Sequence, residues 1–230
     1  METAINRNAN IILIPWPIEV TKSSPQDKTL LEIVLLTAYN QNILLFVPSD
    51  KNEEFQSSLI FRSDEAFRIG EARDDGGAPG RSDSPPDADF IFPGREVITQ
   101  HDIESPRHSS DRTLDLNSAS INVNVSLAAG LAAILIYAFK FVLLKKTAGT
   151  LSIGVETVDK DDLSQLERLQ RYHGMMKAFQ HLGSVTESGF LKVWEALDPI
   201  VDEMKDFTVE DQELGRLSQW FSQIKYTEDR

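Results

Sequence analysis

The chain is 230 residues long, with 41% hydrophobic and 26% charged residues and no cysteine. That length allows one large or two small domains, and the missing cysteine excludes disulfides, thiol catalysis and every zinc site built on cysteine. A net charge of −13 makes a surface that repels phosphate backbones, so nucleic acid is not expected among the partners.

The charge is unevenly spread. Residues 1–115 carry 11 Lys+Arg against 20 Asp+Glu, residues 116–150 carry three Lys and no acid, and residues 151–230 carry nine against 16. Two acidic arms therefore flank a slightly basic, apolar block. An acidic surface also disfavours anionic lipid, except at the cluster Lys140, Lys145 and Lys146.

The N-terminal stretch METAINRNANIILIPWPIEV does not read as a secretory signal. Its apolar run is short, contains Pro15 and Pro17, and leads into no small-residue cleavage site. Ile11 to Val20 has strand character, but the two prolines lack amide donors and suit only a sheet edge. Ser24-Pro25-Gln26-Asp27 then marks a helix start, with Ser24 as N-cap, Pro25 at the first helical position and Asp27 in the first turn. The helix is expected to reach about Tyr39. Leu30, Leu31, Ile33, Val34, Leu35 and Leu36 are too many for one narrow face, which predicts a well-buried helix.

Asn40-Gln41-Asn42 ends it, and Ile43 to Val47 follows as an all-apolar strand closed by Pro48. A strand at Ser58 to Arg62 and a short piece around Phe67 complete a small α/β domain over residues 1–69. A second membrane span over Leu30–Val47 is the alternative, interrupted by Glu32, the polar turn and Pro48.

Residues 70–89, GEARDDGGAPGRSDSPPDAD, hold no large apolar side chain and read as a flexible linker or long loop. Residues 90–120 read as short strands and a polar juxtamembrane segment. Phe90–Phe92 and Val97–Ile98 form two apolar pieces around Pro93-Gly94, a hairpin returning to the first unit. Ile121, Val123 and Val125 alternate with Asn122 and Asn124, a strand-like lead into the apolar block.

That block, residues 121–146, is the dominant feature. Ser126 to Leu144 reads SLAAGLAAILIYAFKFVLL, and Lys145-Lys146 follow at once. As a helix the stretch rises about 29 Å, which matches the hydrocarbon core of a bilayer. Five Leu, two Ile, two Phe and one Val contribute roughly −3 to −6 kcal/mol to insertion. Lys140 opposes them, but it lies four residues before Leu144 and its ammonium can snorkel to the headgroups. The expected span is carried by Ser126, Leu127, Leu131, Ile134, Leu135, Ile136, Phe139, Phe141, Val142, Leu143 and Leu144, with Lys140, Lys145 and Lys146 at the membrane edge.

Two small-residue pairs, Ser126 with Gly130 and Ala129 with Ala133, stand one turn apart and would let two such helices approach closely. The alternatives are a core helix of a soluble protein, since a helix apolar on every side is also satisfied by protein, and a segment that inserts conditionally. Orientation is contradictory: the lysines weakly place the C-terminus in the cytoplasm, which requires translocation of the N-terminal arm without a signal peptide.

Residues 151–230 read as an acidic, all-α helical bundle. Leu163, Leu166, Leu169, Tyr172, Met176, Phe179 and Leu182 recur every three or four residues, with Gly183 as a C-cap. Ser184-Val185-Thr186-Glu187 has capping-box spacing for a next helix presenting Phe190, Leu191, Trp194 and Leu197, restarted at Pro199. A last helix carries Leu214, Leu217, Trp220, Phe221 and Ile224.

No motif assigns a reaction. His101, His108, His173 and His181 show no metal-ligand spacing, and they read as surface or helix-face residues. Asp74 to Arg81 is glycine-rich but lacks the phosphate-loop pattern. Asp159, Asp161 and Asp162 miss the calcium-loop spacing and suit a helix N-terminus instead. The sequon at Asn124 abuts the membrane boundary and reads as chance; Ser84-Pro85 and Ser105-Pro106 are weak phosphosite candidates, while Ser24 is better explained as a cap.

The sequence thus predicts an α+β protein: a small N-terminal α/β unit, one long central apolar transmembrane helix, and a C-terminal helical bundle. No catalytic residue, cofactor or metal is expected. The expected role is that of a single-pass membrane-anchored adaptor or assembly subunit, with the membrane and a protein partner or a second copy as its contacts. A membrane-inserting translocator and a soluble enzyme with a buried central helix are the alternatives.

Overall fold

The computed structural model describes residues 1–15, 24–49, 66–72, 88–93, 116–151, 160–183, 185, 189–193, 195, 198, 220–221 and 224; within 116–151 the side chains are described for 123–144, and within 160–183 for 163–183. Its elements in chain order are α1 (Glu2–Asn6), β1 (Ile11–Leu13), α2 (Pro25–Asn40), β2 (Leu44–Pro48), β3 (Ala66–Ala72), β4 (Phe90–Pro93), α3 (Leu116–Leu151), α4 (Lys160–Leu169) and α5 (Tyr172–His181). The chain divides into two compact units. One holds Met1–Gly130 with Val185–Leu191, the other Leu131–Ser184 with Lys192–Arg230.

The first unit is built on a four-stranded sheet in the order β1-β2-β3-β4, every pair parallel. Parallel strands need crossovers that cover the faces, which makes this unit α/β. β2 shows the consequence: Leu44–Pro48 is apolar throughout and buried throughout. β1 takes the edge position, where the following Pro15 leaves no ladder bond unmade.

Register sorts the side chains. Ile12 pairs with Leu45, and Leu45 with Ala66. This row packs with Ile5 of α1 and with Val34 and Ala38 of α2. On the opposite face Leu13 pairs with Phe46, and Phe46 with Phe67. There the Phe46 and Phe67 rings stack at 4.8 Å and 11°. Such a pair contributes about 1 kcal/mol beyond its buried area.

α2 begins as its sequence predicts. The Ser24 hydroxyl accepts from the Asp27 amide at 3.2 Å, and the Asp27 carboxylate accepts from the Ser24 amide at 3.3 Å. Pro25 occupies the first turn. At the far end Asn42 takes φ 56°, a left-handed conformation that asparagine tolerates better than most residues. The burial of α2 differs from expectation. Val34 and Ala38 are buried, but Leu30, Ile33 and Leu36 are exposed. The sheet covers only one stripe of the helix, and its surplus leucines face outward.

Three further readings are corrected. β3 runs to Ala72, two residues past the expected linker start, because pairing with β2 and β4 extends it. β4 is a parallel strand beside β3; the second arm of the expected hairpin lies outside the described residues. Residues 121–125 lie inside α3, so their alternation carries no strand. Phe190 and Leu191 are not helical. Phe190 makes a parallel bridge to Ile91, with the Ile91 amide donating to the Gly189 carbonyl at 2.8 Å, so this distant segment closes the free edge of β4. Ser58–Arg62, residues 73–87, Val97–Ile98 and the expected helices over 200–219 lie outside the described residues.

In the second unit the predicted helix over 163–182 is two helices. Arg171 takes φ −95° and ψ 154° between α4 and α5, which redirects the chain by one extended residue. Gly174 permits the close approach: a Cβ there would collide with the Arg168 carbonyl. Gly183 is not the C-cap, which is Leu182; it lies against the Lys192 carbonyl, with no room for a side chain. Leu169, Met175, Ala178, Phe179 and Leu182 form the buried faces.

Candidate functional site

The long apolar helix is the feature on which any functional reading turns. Val123–Leu144, 22 residues, is long and apolar enough to cross a bilayer; at 1.5 Å per residue it spans about 33 Å. Yet 44% of its most apolar stretch is buried within the protein. The first turns, through Gly130, belong to the sheet unit, and Val125 and Ala128 are fully buried.

The burial follows the helical period. Leu131, Ala132, Leu135, Ile136, Phe139, Val142 and Leu143 are buried, as is Ala129. Ser126, Leu127, Gly130, Ala133, Ile134, Tyr137, Phe141 and Leu144 are exposed. The exposed set recurs every three or four residues and forms one stripe. It is most open at Ile134, Tyr137 and Leu144, at 63%, 72% and 68%. A helix covering a soluble core ordinarily turns polar side chains outward; this one turns leucine, isoleucine and aromatic side chains outward.

The predicted span residues are therefore divided. Leu127, Ile134, Phe141 and Leu144 face out; Leu131, Leu135, Ile136, Phe139, Val142 and Leu143 face in. Lys140 is half-buried, while Lys145 and Lys146 lie in helical backbone with side chains outside the described set. The small residues divide too. Ser126, Gly130 and Ala133 share the outward stripe, and a Cβ on Gly130 would meet nothing within 4 Å. Ala129 is buried. A second helix approaching from outside would meet Ser126, Gly130 and Ala133 but not Ala129.

Asn124 stands near the start of the apolar stretch and is 1% exposed. Its Oδ1 accepts from the Val125 amide at 2.8 Å, which offsets part of the cost of burying the amide side chain. Its depth closes the sequon to a glycan in this fold. Toward the other end Phe139 meets Phe221 edge-on, 4.7 Å between centroids at 86°, and Trp220 meets Phe221 at 5.0 Å. His181 lies 5.4 Å from Trp220, and His173 lies beside Tyr172. Both histidines are exposed, and among the described residues no group of three His, Asp or Glu side chains could hold a metal. His101, His108, residues 74–81, Asp159, Ser84 and Ser105 lie outside the described residues, as do the side chains of Asp161 and Asp162.

Sequence reasoning missed one polar element, the pairing of Arg68 in β3 with Asp89 ahead of β4 at 2.9 Å. Asp89 closes a stretch that reads as linker, and only the strand pairing places it opposite Arg68. No family model matches the chain, and no curated protein or solved structure matches it.

Proposed function

We propose that this protein is a membrane-attached adaptor or assembly subunit that acts through contacts, with α3 as its attachment element. The observation that carries the reading is the outward stripe Leu127, Ile134, Tyr137, Phe141, Leu144 on a helix as long as a bilayer core is thick. Exposed apolar surface of this extent on a soluble monomer is unfavourable, by roughly 25 cal/mol for each Å² left in water. Acyl chains relieve that penalty. Lys140, Lys145 and Lys146 at the C-terminal end suit the headgroup layer. The acidic arms would remain in water and present the protein-binding surfaces. The sequence holds no catalytic motif, so a contact role is favoured over chemistry.

The test is alkaline carbonate extraction of native membranes, joined to flotation of purified protein with vesicles. Retention in the pellet and co-flotation are expected; complete release together with no flotation would remove the reading.

A second reading has its own observation. Ala128 and Ala132 are 0% exposed, as in the core helix of a soluble α/β protein. On that reading the purified protein stays monodisperse without detergent and ignores vesicles.

A further inference from the structure

Both faces of α3 are largely apolar, and this bears on how the helix meets lipid. Every buried side chain from Val125 to Leu143 is Ala, Val, Leu, Ile or Phe. The outward stripe is Leu127, Ile134, Tyr137, Phe141 and Leu144, with Ser126 and the half-buried Lys140 as the polar exceptions along it. A helix fixed permanently on a soluble body needs one apolar face; a helix solvated by acyl chains needs apolar side chains all round. This one meets the second requirement while buried over one face. Lipid tails are about as apolar as leucine, so the inward face can exchange protein for hydrocarbon without stranding a polar group. The single buried polar side chain of the stretch, Asn124, stands at its N-terminal boundary, where headgroups and water are within reach.

Resting on the membrane reading above, we infer that α3 undocks when the protein meets a bilayer. Its protein-buried face, including Phe139, passes into the acyl chains, so the helix inserts whole instead of lying at the surface on its outward stripe alone. The two modes differ in one checkable respect. Surface attachment keeps Phe139 against Phe221, now 4.7 Å apart; insertion separates the rings and puts lipid around Phe139. Both modes take the outward stripe out of water. For the helix's own inward side chains insertion is close to neutral, because one apolar surrounding replaces another; the apolar groups it leaves behind, Phe221 among them, must be covered again by the body closing on itself.

Tyr137 and Phe139 make a matched pair of reporters. They are about 3 Å apart along the helix axis and about 160° apart around it, so they probe similar depths on nearly opposite faces. In a full-length chain with Trp16, Trp194 and Trp220 replaced by Phe, one variant carries Tyr137→Trp and another Phe139→Trp. Each is mixed with phosphatidylcholine vesicles holding a minority of phosphatidylglycerol and brominated on the acyl chains. Quenching of both tryptophans to the same extent is the expected result. Quenching of Tyr137→Trp alone overturns undocking and leaves membrane attachment standing. Quenching of neither removes the membrane reading, and the inference with it.

Should either variant fail to fold by circular dichroism, fluorinated phenylalanine in the otherwise unaltered chain asks the same question. The Phe139 resonance, assigned by its loss in Phe139→Leu, should broaden with paramagnetic lipid. An unaffected resonance in vesicle-bound protein overturns the inference.

Discussion

Arg68 and Asp89 are joined by side chain and backbone at once. The Arg68 amide donates to Asp89 Oδ2 at 2.8 Å, Nη2 donates to Oδ1 at 2.9 Å, and the Asp89 amide returns a bond to the Arg68 carbonyl at 2.8 Å. The two side chains are 21% and 11% exposed, so the pair is only weakly screened by water. Its place matters more than its charge. It holds the chain just ahead of β4 to β3, and the register of Ile69 with Phe90 and Gly70 with Ile91 follows from there. Asp89→Ala leaves a half-buried guanidinium without this carboxylate and should destabilise the fold by about 2–3 kcal/mol. The check is a urea titration, with the midpoint lowered and the slope unchanged.

Two glycines should respond in opposite directions. Gly174→Ala drives a methyl into the Arg168 carbonyl at the α4–α5 corner, and backbone cannot give way cheaply. A loss of about 3 kcal/mol is expected. Gly130→Ala meets open space on the outward stripe and should stabilise the helix by about 0.5–1 kcal/mol. Thermal melts of both variants beside the parent chain give the comparison. If Gly130 seats a second helix, Gly130→Ala should also weaken self-association, read by cross-linking in vesicles.

Ser24→Ala removes the acceptor of the Asp27 amide and the hydroxyl that donates to the Asp27 carboxylate at 2.7 Å. An expected loss of about 1 kcal/mol follows for an N-cap of this kind. Ser24→Asp restores an acceptor for the amide but sets a second carboxylate beside Asp27, so it should recover less than Ser24→Thr. Chemical denaturation of the three variants orders them.

The stripe on α3 separates folding from membrane attachment. Ile134 is 63% exposed, so Ile134→Lys should leave stability in buffer within about 0.5 kcal/mol of the parent. In a bilayer the same lysine near the middle of the helix costs about 2.5–3.5 kcal/mol, roughly a hundredfold in partitioning. Ala132→Lys, at a position with no exposure, should damage both properties. Vesicle flotation beside circular dichroism distinguishes them. Equal flotation of Ile134→Lys and the parent chain would count against the stripe as a lipid contact.

Local chemistry was legible where one residue decides the backbone. Ser24-Pro25 sets the start of α2, Asn42 its end, and the proline after β1 its edge position, because capping, φ and amide donors act within a few residues. Periodicity was legible too, but it could not tell a straight helix from two helices with one extended residue between them, as at Arg171. Nor could it show that Phe190 pairs with Ile91, since that bridge joins segments far apart in the chain.

By itself the sequence determined that Ser126–Leu144 is dominated by apolar residues on every side, that α2 is over-supplied with leucine, and that the acidic charge lies in the two arms; composition and spacing are properties of the chain alone. Tertiary structure decided that the strands run parallel in the order β1-β2-β3-β4, that Leu30, Ile33 and Leu36 look outward, and which half of α3 is covered. The physical reason is that an all-apolar helix carries no information about its own inside and outside. When leucine stands on both faces, only the body against which it packs chooses between them.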